Sequence, residues 1–475
     1  MERSTARRIP CMSSYVLLLL LFLSSFATSR SIVKTLPGFD GDLPFKLETG
    51  YVGVGEMDEV QLFYYFVESQ SEPSSDPLLV WLTGGPGTSS FKQFFYGNGP
   101  LSFDYIFSEE RLPTLHLNPD TWIKGLNILY IDAPVGTGFS YSKTSQGYYS
   151  DDQKTVADLY TFLQKWLIDH PEFIENQLYL GGVSYVGILV PVLVQKIYDA
   201  NEAGHKPPFS IKGYVLASPK TDSYLDANSK VQAAHRLTLI SDELYKSAKT
   251  NCNGDYVNID PTNERCAVDV EAIDELLRGI NLVQVLEPVC TSGSLKPDKV
   301  DWDQRILMRT SNQNFLHSLP RNRAFWCRDY DLVFADIWAN DPSVREALHV
   351  REGTKGYWNM RNTSLAYTKN ILSTIDYHQN LTKTRLRALI YCADLDMSIP
   401  HIGTQECIRS LNLTLDESWR AWFVDAQVAG YTERYKHNNF YMTYSSVKGA
   451  GHVAEEYKPK EVYAMIDRWF AYYPL

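Results

Sequence analysis

The chain has 475 residues, 44% hydrophobic and 21% charged, with a formal net charge of −11 at pH 7. That length holds one large or two ordinary globular domains. The acidic balance and the lack of a basic stripe argue against a nucleic-acid partner.

Residues 1–29 read as a secretory signal. Arg3, Arg7 and Arg8 form a basic start, residues 15–26 an apolar run, and Ala27-Thr28-Ser29 a small-residue cleavage site, with cutting expected after Ser29. The run is short for a membrane span and no later stretch reaches about 18 apolar residues, so no span is expected.

Next come strand-like runs at residues 45–54 and 60–67. Leu78-Leu-Val-Trp-Leu82 is fully apolar and ends in Thr83-Gly-Gly-Pro-Gly87, and residues 128–131 end in Asp132-Ala-Pro-Val-Gly136. Such runs suit a central parallel sheet covered on both faces. Val156, Leu159, Phe162, Leu163, Trp166 and Leu167 recur at helical spacing, and Pro171 ends that helix. Further strands are expected at 214–217 and 387–391, with a final helix at 462–470. Residues 222–340 differ: they are helical in places, hold four of the six cysteines that follow the signal, and include a polar stretch at 291–314. They read as a cap inserted between a first core part (30–221) and a second (341–475), with 291–314 as an exposed loop open to proteolytic nicking.

Chemistry centres on Leu178-Tyr-Leu-Gly-Gly-Val-Ser-Tyr-Val-Gly187. A strand runs into two glycines, then Ser184, then a helix-like stretch, which is the layout of a nucleophile elbow. A serine hydroxyl needs a base and an orienting carboxylate. In α/β-hydrolases these follow in the order Ser, Asp, His. Asp396 lies just past the strand at 387–391, in Ala393-Asp-Leu-Asp396, and His452 sits in the glycine-rich Lys448-Gly-Ala-Gly-His452. Asp394 competes with Asp396 for the carboxylate role. Oxyanion donors are expected from the N–H groups of Tyr185 and of Gly85 in the Thr83–Gly87 loop, where glycines let backbone approach closely, with Thr83, Gly84, Gly97 and Val183 as the substrate-binding positions.

Six cysteines remain after the signal: Cys252, Cys266, Cys290, Cys327, Cys392 and Cys407. In an oxidising compartment they form a disulfide framework, with Cys252–Cys266 the expected first pair. No C-x-x-C pair or spaced His suggests a metal. Sequons at Asn362, Asn380 and Asn412 fit a secreted glycoprotein.

The stretches Leu36-Pro-Gly-Phe39, Trp81-Leu-Thr-Gly-Gly-Pro-Gly87, Ala133-Pro-Val-Gly-Thr-Gly-Phe-Ser-Tyr141, Gly182-Val-Ser-Tyr185, Ala393-Asp-Leu-Asp396 and Gly451-His452 resemble, in order, those of plant serine carboxypeptidase-like proteins of the acyltransferase-rich branch. The resemblance implies an α/β-hydrolase fold, mostly parallel in its sheet, with a helical cap. It implies a Ser184–Asp396–His452 triad that moves an acyl group from a glucose ester to an alcohol acceptor, without metal or organic cofactor, in the vacuole or outside the cell.

Carboxypeptidase members hold a substrate carboxylate with an Asn and two acids; this chain has Thr83, Val183 and Gly97 at those places. Valine supplies no carboxyl chemistry, so peptidase activity is disfavoured. The resemblance also gives a small residue at Val186, where a β-branched side chain threatens the crowded turn. It gives a Cys at Thr88 that bridges to a distant Cys, here Cys327. Cys327 is then left free or paired with Cys290, and Cys392 unpaired, with Cys407 as its candidate. These changes support a second reading, a non-catalytic companion that binds an active paralogous acyltransferase.

Overall fold

A computed structural model describes residues 29–104, 112–289, 328 and 331–475. The expected signal peptide (apart from Ser29), the expected loop 291–314, Cys290 and Cys327 lie outside the described residues.

Alternating side chains assemble the centre of the molecule. In β3 (Val60–Val67) every residue is buried. Phe63, Tyr65 and Val67 enter one apolar cluster, while Val60, Leu62, Tyr64 and Phe66 enter another. That alternation follows from the two-residue period of a strand covered on both faces. The other strands of the main sheet are β1 (Ser29–Val33), β2 (Leu47–Val54), β4 (Leu78–Leu82), β5 (Asn127–Ile131), β6 (Leu178–Val183), β7 (Ile211–Ala217), β8 (Arg387–Ala393), β9 (Thr414–Val424), β10 (Gln427–His437) and β11 (Phe440–Val447). Their spatial order is β1-β2-β3-β5-β4-β6-β7-β8-β11-β10-β9, and the two-residue strand Tyr141–Ser142 pairs with β3 to make 12. The six strands from β5 to β11 run parallel, and antiparallel strands flank them on both sides. This is an α/β-hydrolase fold, with a mixed sheet that is parallel where the site sits.

Helices cover both faces. One face packs against α1 (Phe91–Tyr96), α7 (Leu332–Ala339) and the C-terminal α11 (Pro459–Phe470), whose Val462, Met465, Ile466 and Trp469 join its cluster. The other packs against α2 (Asp152–Asp169) and α3 (Val190–Glu202), with α8 (Ile375–Leu381) beside α3. Between β7 and β8 the chain forms α4 (Ser223–Arg236), α5 (Asp242–Asn251) and α6 (Glu264–Leu277), which enclose a small cluster with Met397 and Ile402. Side chains cap each start: Asp222 accepts from the N–H of Leu225, Ser241 from Leu244 and Asn263 from Cys266, satisfying donors that a helix leaves open. The chain then passes over the sheet edge, where Val283 O accepts from His452 N at 2.8 Å and Leu282 O from Met397 N at 2.9 Å. Helix α9 (His401–Ser410) and the short α10 (Ala454–Tyr457) complete the elements used below.

Candidate active site

Ser184 follows β6 directly, at the C-terminal edge of the parallel strands. Its φ is +69°, in the left-handed region that a side chain rarely adopts. The 3-10 turn Ser184–Gly187 then leads into α3. Lys220 N donates to Ser184 O at 2.9 Å, and the Tyr185 hydroxyl donates to Asp152 Oδ1 at 2.7 Å. Asp152 is fully buried at the start of α2 and also accepts from Tyr367 OH, Asn370 N and Ile371 N. The serine is therefore lifted by a strained turn whose next residue is pinned.

The loop after β4 lies against this turn, because Leu82 pairs with Gly182 across the sheet. A Cβ placed on Gly84 would stand 2.6 Å from Val183 O, 2.7 Å from Tyr185 N and 2.8 Å from Ser184 Cβ. Only glycine allows that approach. Gly85, at φ +133°, turns the loop beyond it, and Gly87, at φ +99°, abuts the Asn362 carbonyl. The loop thus brings backbone beside the Tyr185 N–H.

Asp396 and His452 come from the ends of β8 and β11 on the same edge. His452 Nδ1 lies 2.7 Å from Asp396 Oδ2. Asp396 is 1% exposed, and its Oδ1 accepts from Ser398 N at 2.7 Å and Ile399 N at 3.1 Å, which fixes the carboxylate. Burial alone pushes the imidazole pKa down, but the charge and hydrogen bond of Asp396, aided by Glu456 and Glu455, hold it above its ordinary value. Asp394 faces elsewhere: its Oδ1 accepts from Gly449 N at 2.7 Å and shapes the histidine loop. Ser184 makes no hydrogen bond to His452, and such contacts are commonly long before substrate binds. A separate groove of about 460 Å³, lined by residues such as Tyr160, Lys196 and His205, lies between α2 and α3.

A family model described as serine carboxypeptidase matches residues 37–472. The chain belongs to the serine carboxypeptidase family. Serine carboxypeptidase-like 16 of Arabidopsis thaliana is 44% identical over 456 residues, 96% of this chain and 97% of that one. Serine carboxypeptidase-like 7 of the same plant is 42% identical over 460 residues, 97% and 98%. Among solved structures, a prohormone-processing carboxypeptidase of Saccharomyces cerevisiae superposes with a TM-score of 0.71 at 19% identity, covering 92% of this chain and 95% of that one. That likeness shows the shared fold.

Three of the positions singled out in the sequence for substrate binding, Val183, Thr83 and Gly97, are apolar or neutral in space as well. Val183 is 2% exposed and belongs to the apolar cluster on its face of the sheet. Thr83 is buried, and its hydroxyl has no partner among the described residues. At Gly97 the space a side chain would take is filled by Gln93, whose Oε1 stands 2.3 Å from the site of a Cβ. Gln93 is fully buried, and neither end of its amide has a partner among the described residues. Val186 is accommodated rather than disruptive: it is 2% exposed and packs in the opposite cluster.

Cys252 and Cys266 are joined, tying the end of α5 to α6. The Cys392–Cys407 pair is not formed, and both remain buried thiols. Each thiol has its own polar neighbours, Thr404 and Tyr444 beside Cys392 and Thr221 beside Cys407. Asn380 and Asn412 are exposed, but Asn362 is half-buried and its Nδ2 donates to Gly136 O at 3.0 Å. Among the described residues no helix is long and apolar enough to cross a membrane.

Sequence reading passed over three contributors. Asp152 pins Tyr185 from a distant helix start and leaves no local signal. Lys92 Nζ in α1 lies 2.7 Å from Glu456 Oε1 in α10, linking the helix after the Thr83–Gly87 loop to the helix after His452. Glu455 sits beside it, fully buried.

Proposed function

We propose that the protein is an acyltransferase that moves an acyl group from a glucose ester to an alcohol acceptor through Ser184. The observation that carries this is Val183: the position before the nucleophile is sealed in an apolar cluster and offers a substrate carboxylate nothing. Thr83 and Gln93 add neutral polar groups without partners among the described residues, suited to hydroxyls and esters. In the proposed reaction, Ser184 Oγ attacks the ester carbonyl while His452 takes its proton, and Asp396 stabilises the imidazolium. The N–H groups of Tyr185 and Gly85 receive the oxyanion. Glucose leaves with the proton from His452, giving an acyl-enzyme. The acceptor alcohol then attacks, passing its proton to His452, and Ser184 is regenerated. A secretory route to the vacuole or the extracellular space belongs to the same proposal, supported by the Cys252–Cys266 disulfide.

The test is fluorophosphonate labelling of the glycosylated protein with Ser184→Ala as control, then turnover of phenolic glucose esters against a blocked dipeptide. Labelling lost in the variant, with ester transfer and no peptide cleavage, is expected. A folded protein that never labels would overturn the enzyme reading and leave the non-catalytic companion of a paralogous acyltransferase, to be sought by co-purification.

A further inference from the structure

Glu455 follows His452 by three residues, in α10, and is 2% exposed. Its Oε1 accepts a hydrogen bond from the Tyr391 hydroxyl. Its Oε2 is buried and has no partner among the described residues. A buried carboxylate oxygen left unpaired is costly unless the group keeps its proton.

The sheet explains how the acid reaches this place. Val183, Ala217 and Tyr391 stand on one rung across β6, β7 and β8, so their side chains share a face. All three lie in the same apolar cluster. Tyr391 thus carries its hydroxyl through an apolar wall, on the same face as the residue before the nucleophile, and hands it to Glu455 on the histidine side.

Among the described residues the charges around Glu455 are few. Tyr391 faces it from β8, and His452 and Glu456 from its own segment. Glu456 is already matched by Lys92 of α1 at 2.7 Å, and Arg328, which is tied to Glu287, donates to the Glu456 carbonyl. Among the described residues Glu455 therefore remains the acid near the imidazole without a cationic partner. Burial, opposed by the Tyr391 hydrogen bond, pushes its pKa up to about 7, within the range where histidines titrate.

We propose that Glu455 is a positioning residue of the catalytic centre, acting through His452: a carboxyl anchored by Tyr391 whose charge state sets how firmly the imidazole holds its proton. The inference rests on the reading of His452 as the base for Ser184. While Glu455 is neutral, His452 answers to Asp396 and to the Lys92-paired Glu456, and becomes a free base more readily. Once Glu455 ionises, a further negative charge holds the imidazolium and delays formation of the base. The two groups titrate as a coupled pair.

The experiment is an NMR titration of ring-labelled histidine in the full-length protein, with the His452 signal identified by its loss in His452→Gln. Glu455→Gln keeps an acceptor for Tyr391 and removes the charge. The His452 midpoint is expected to fall by roughly half a pH unit or more. Tyr391→Phe removes the donor that favours ionised Glu455, and a smaller fall is expected. The acid limb of fluorophosphonate labelling should move with the midpoint. An unchanged midpoint in both variants overturns the proposal. A midpoint that moves in a protein whose Ser184 never labels supports the coupling and overturns the enzyme reading instead.

Discussion

Gly182 and Val186 are fitted to each other across the turn that carries Ser184. Gly182, at φ +157°, lacks the Cβ that would stand 2.5 Å from Val186 Cγ2 and 2.3 Å from Leu82 O. The missing side chain on one arm of the turn makes room for the branched one on the other. Gly182→Ala is therefore expected to displace the serine and cut labelling by about 100-fold or more, the scale set by about 1 Å of misplacement. Val186→Ala should keep labelling and lose about 1–3 kcal/mol of stability. Val186→Ala in the Gly182→Ala background should not restore labelling, because the clash with Leu82 O remains. Labelling rates and denaturant unfolding of the three variants check this.

Gly84 is the tightest contact between the oxyanion loop and the serine turn. Its Cα approaches Val183 O, Tyr185 N and Ser184 Cβ so closely that a methyl group meets all three within 2.8 Å. Gly84→Ala should open the loop, lowering labelling and ester turnover on the order of 100-fold. The sheet beneath should stay folded, so far-UV circular dichroism should match the parent.

Much of the fold was legible because burial on both faces leaves a plain mark. β3 and β4 were read to the residue, since Leu78–Leu82 is apolar throughout and Val60–Val67 is apolar or aromatic apart from Gln61. The hairpin β9–β10 was missed for physical reasons. β9 carries Asp416, Glu417 and Arg420 and has register irregularities against β10. The connecting Asp425 and Ala426 both take positive φ, 48° and 59°. That geometry is usually announced by Asn-Gly or Asp-Gly, and alanine gives no such notice. At the site, glycines marked Ser184, the oxyanion loop and the histidine loop. The sequence favoured Asp396 and left Asp394 as its competitor, and what separates them is tertiary: Asp394 accepts from Gly449 N, whereas Asp396 lies against His452 Nδ1. Glu455 was invisible because Ala454-Glu-Glu-Tyr457 reads as a solvated helix, and only Tyr391 reaching across the sheet reveals a buried acid.

Asp396 holds the His452 pKa above its ordinary value near 6.5. A general base works when neutral, so labelling should rise with pH along a limb centred above that value. Asp396→Asn removes the charge and the acceptor that selects the tautomer. A fall in rate on the order of 10⁴-fold is expected, with the residual limb shifted to lower pH. A pH–rate profile of each protein, with thermal unfolding as a folding control, checks both parts.

The three sequons should not be used alike. Asn380 and Asn412 are exposed, while Asn362 Nδ2, the atom a glycan would occupy, donates to Gly136 O beside the oxyanion loop. Peptide mapping before and after glycosidase treatment should find glycans at Asn380 and Asn412 and an unmodified Asn362. Asn362→Gln should leave the glycan mass unchanged and weaken labelling, because it misplaces the side-chain amide that holds Gly136 O, while the backbone N–H to Gly87 O at 2.9 Å stays.

Glu455 should leave a signature in stability as well. Its acid lies at about 7 in the folded chain against an ordinary value of 4.5. The folded state thus binds the proton more tightly than the unfolded one, so the stability tied to this proton is complete below about 4.5 and is lost as pH rises through about 7. Full burial makes the loss a few kcal/mol in order of magnitude. Glu455→Gln cannot ionise and should be spared it. The unfolding free energy of the variant relative to the parent should therefore rise between pH 4.5 and pH 7.5 and stay level beyond. Parallel denaturant titrations across that window measure it, and parallel curves for the two proteins would mean that Glu455 is ionised at neutral pH.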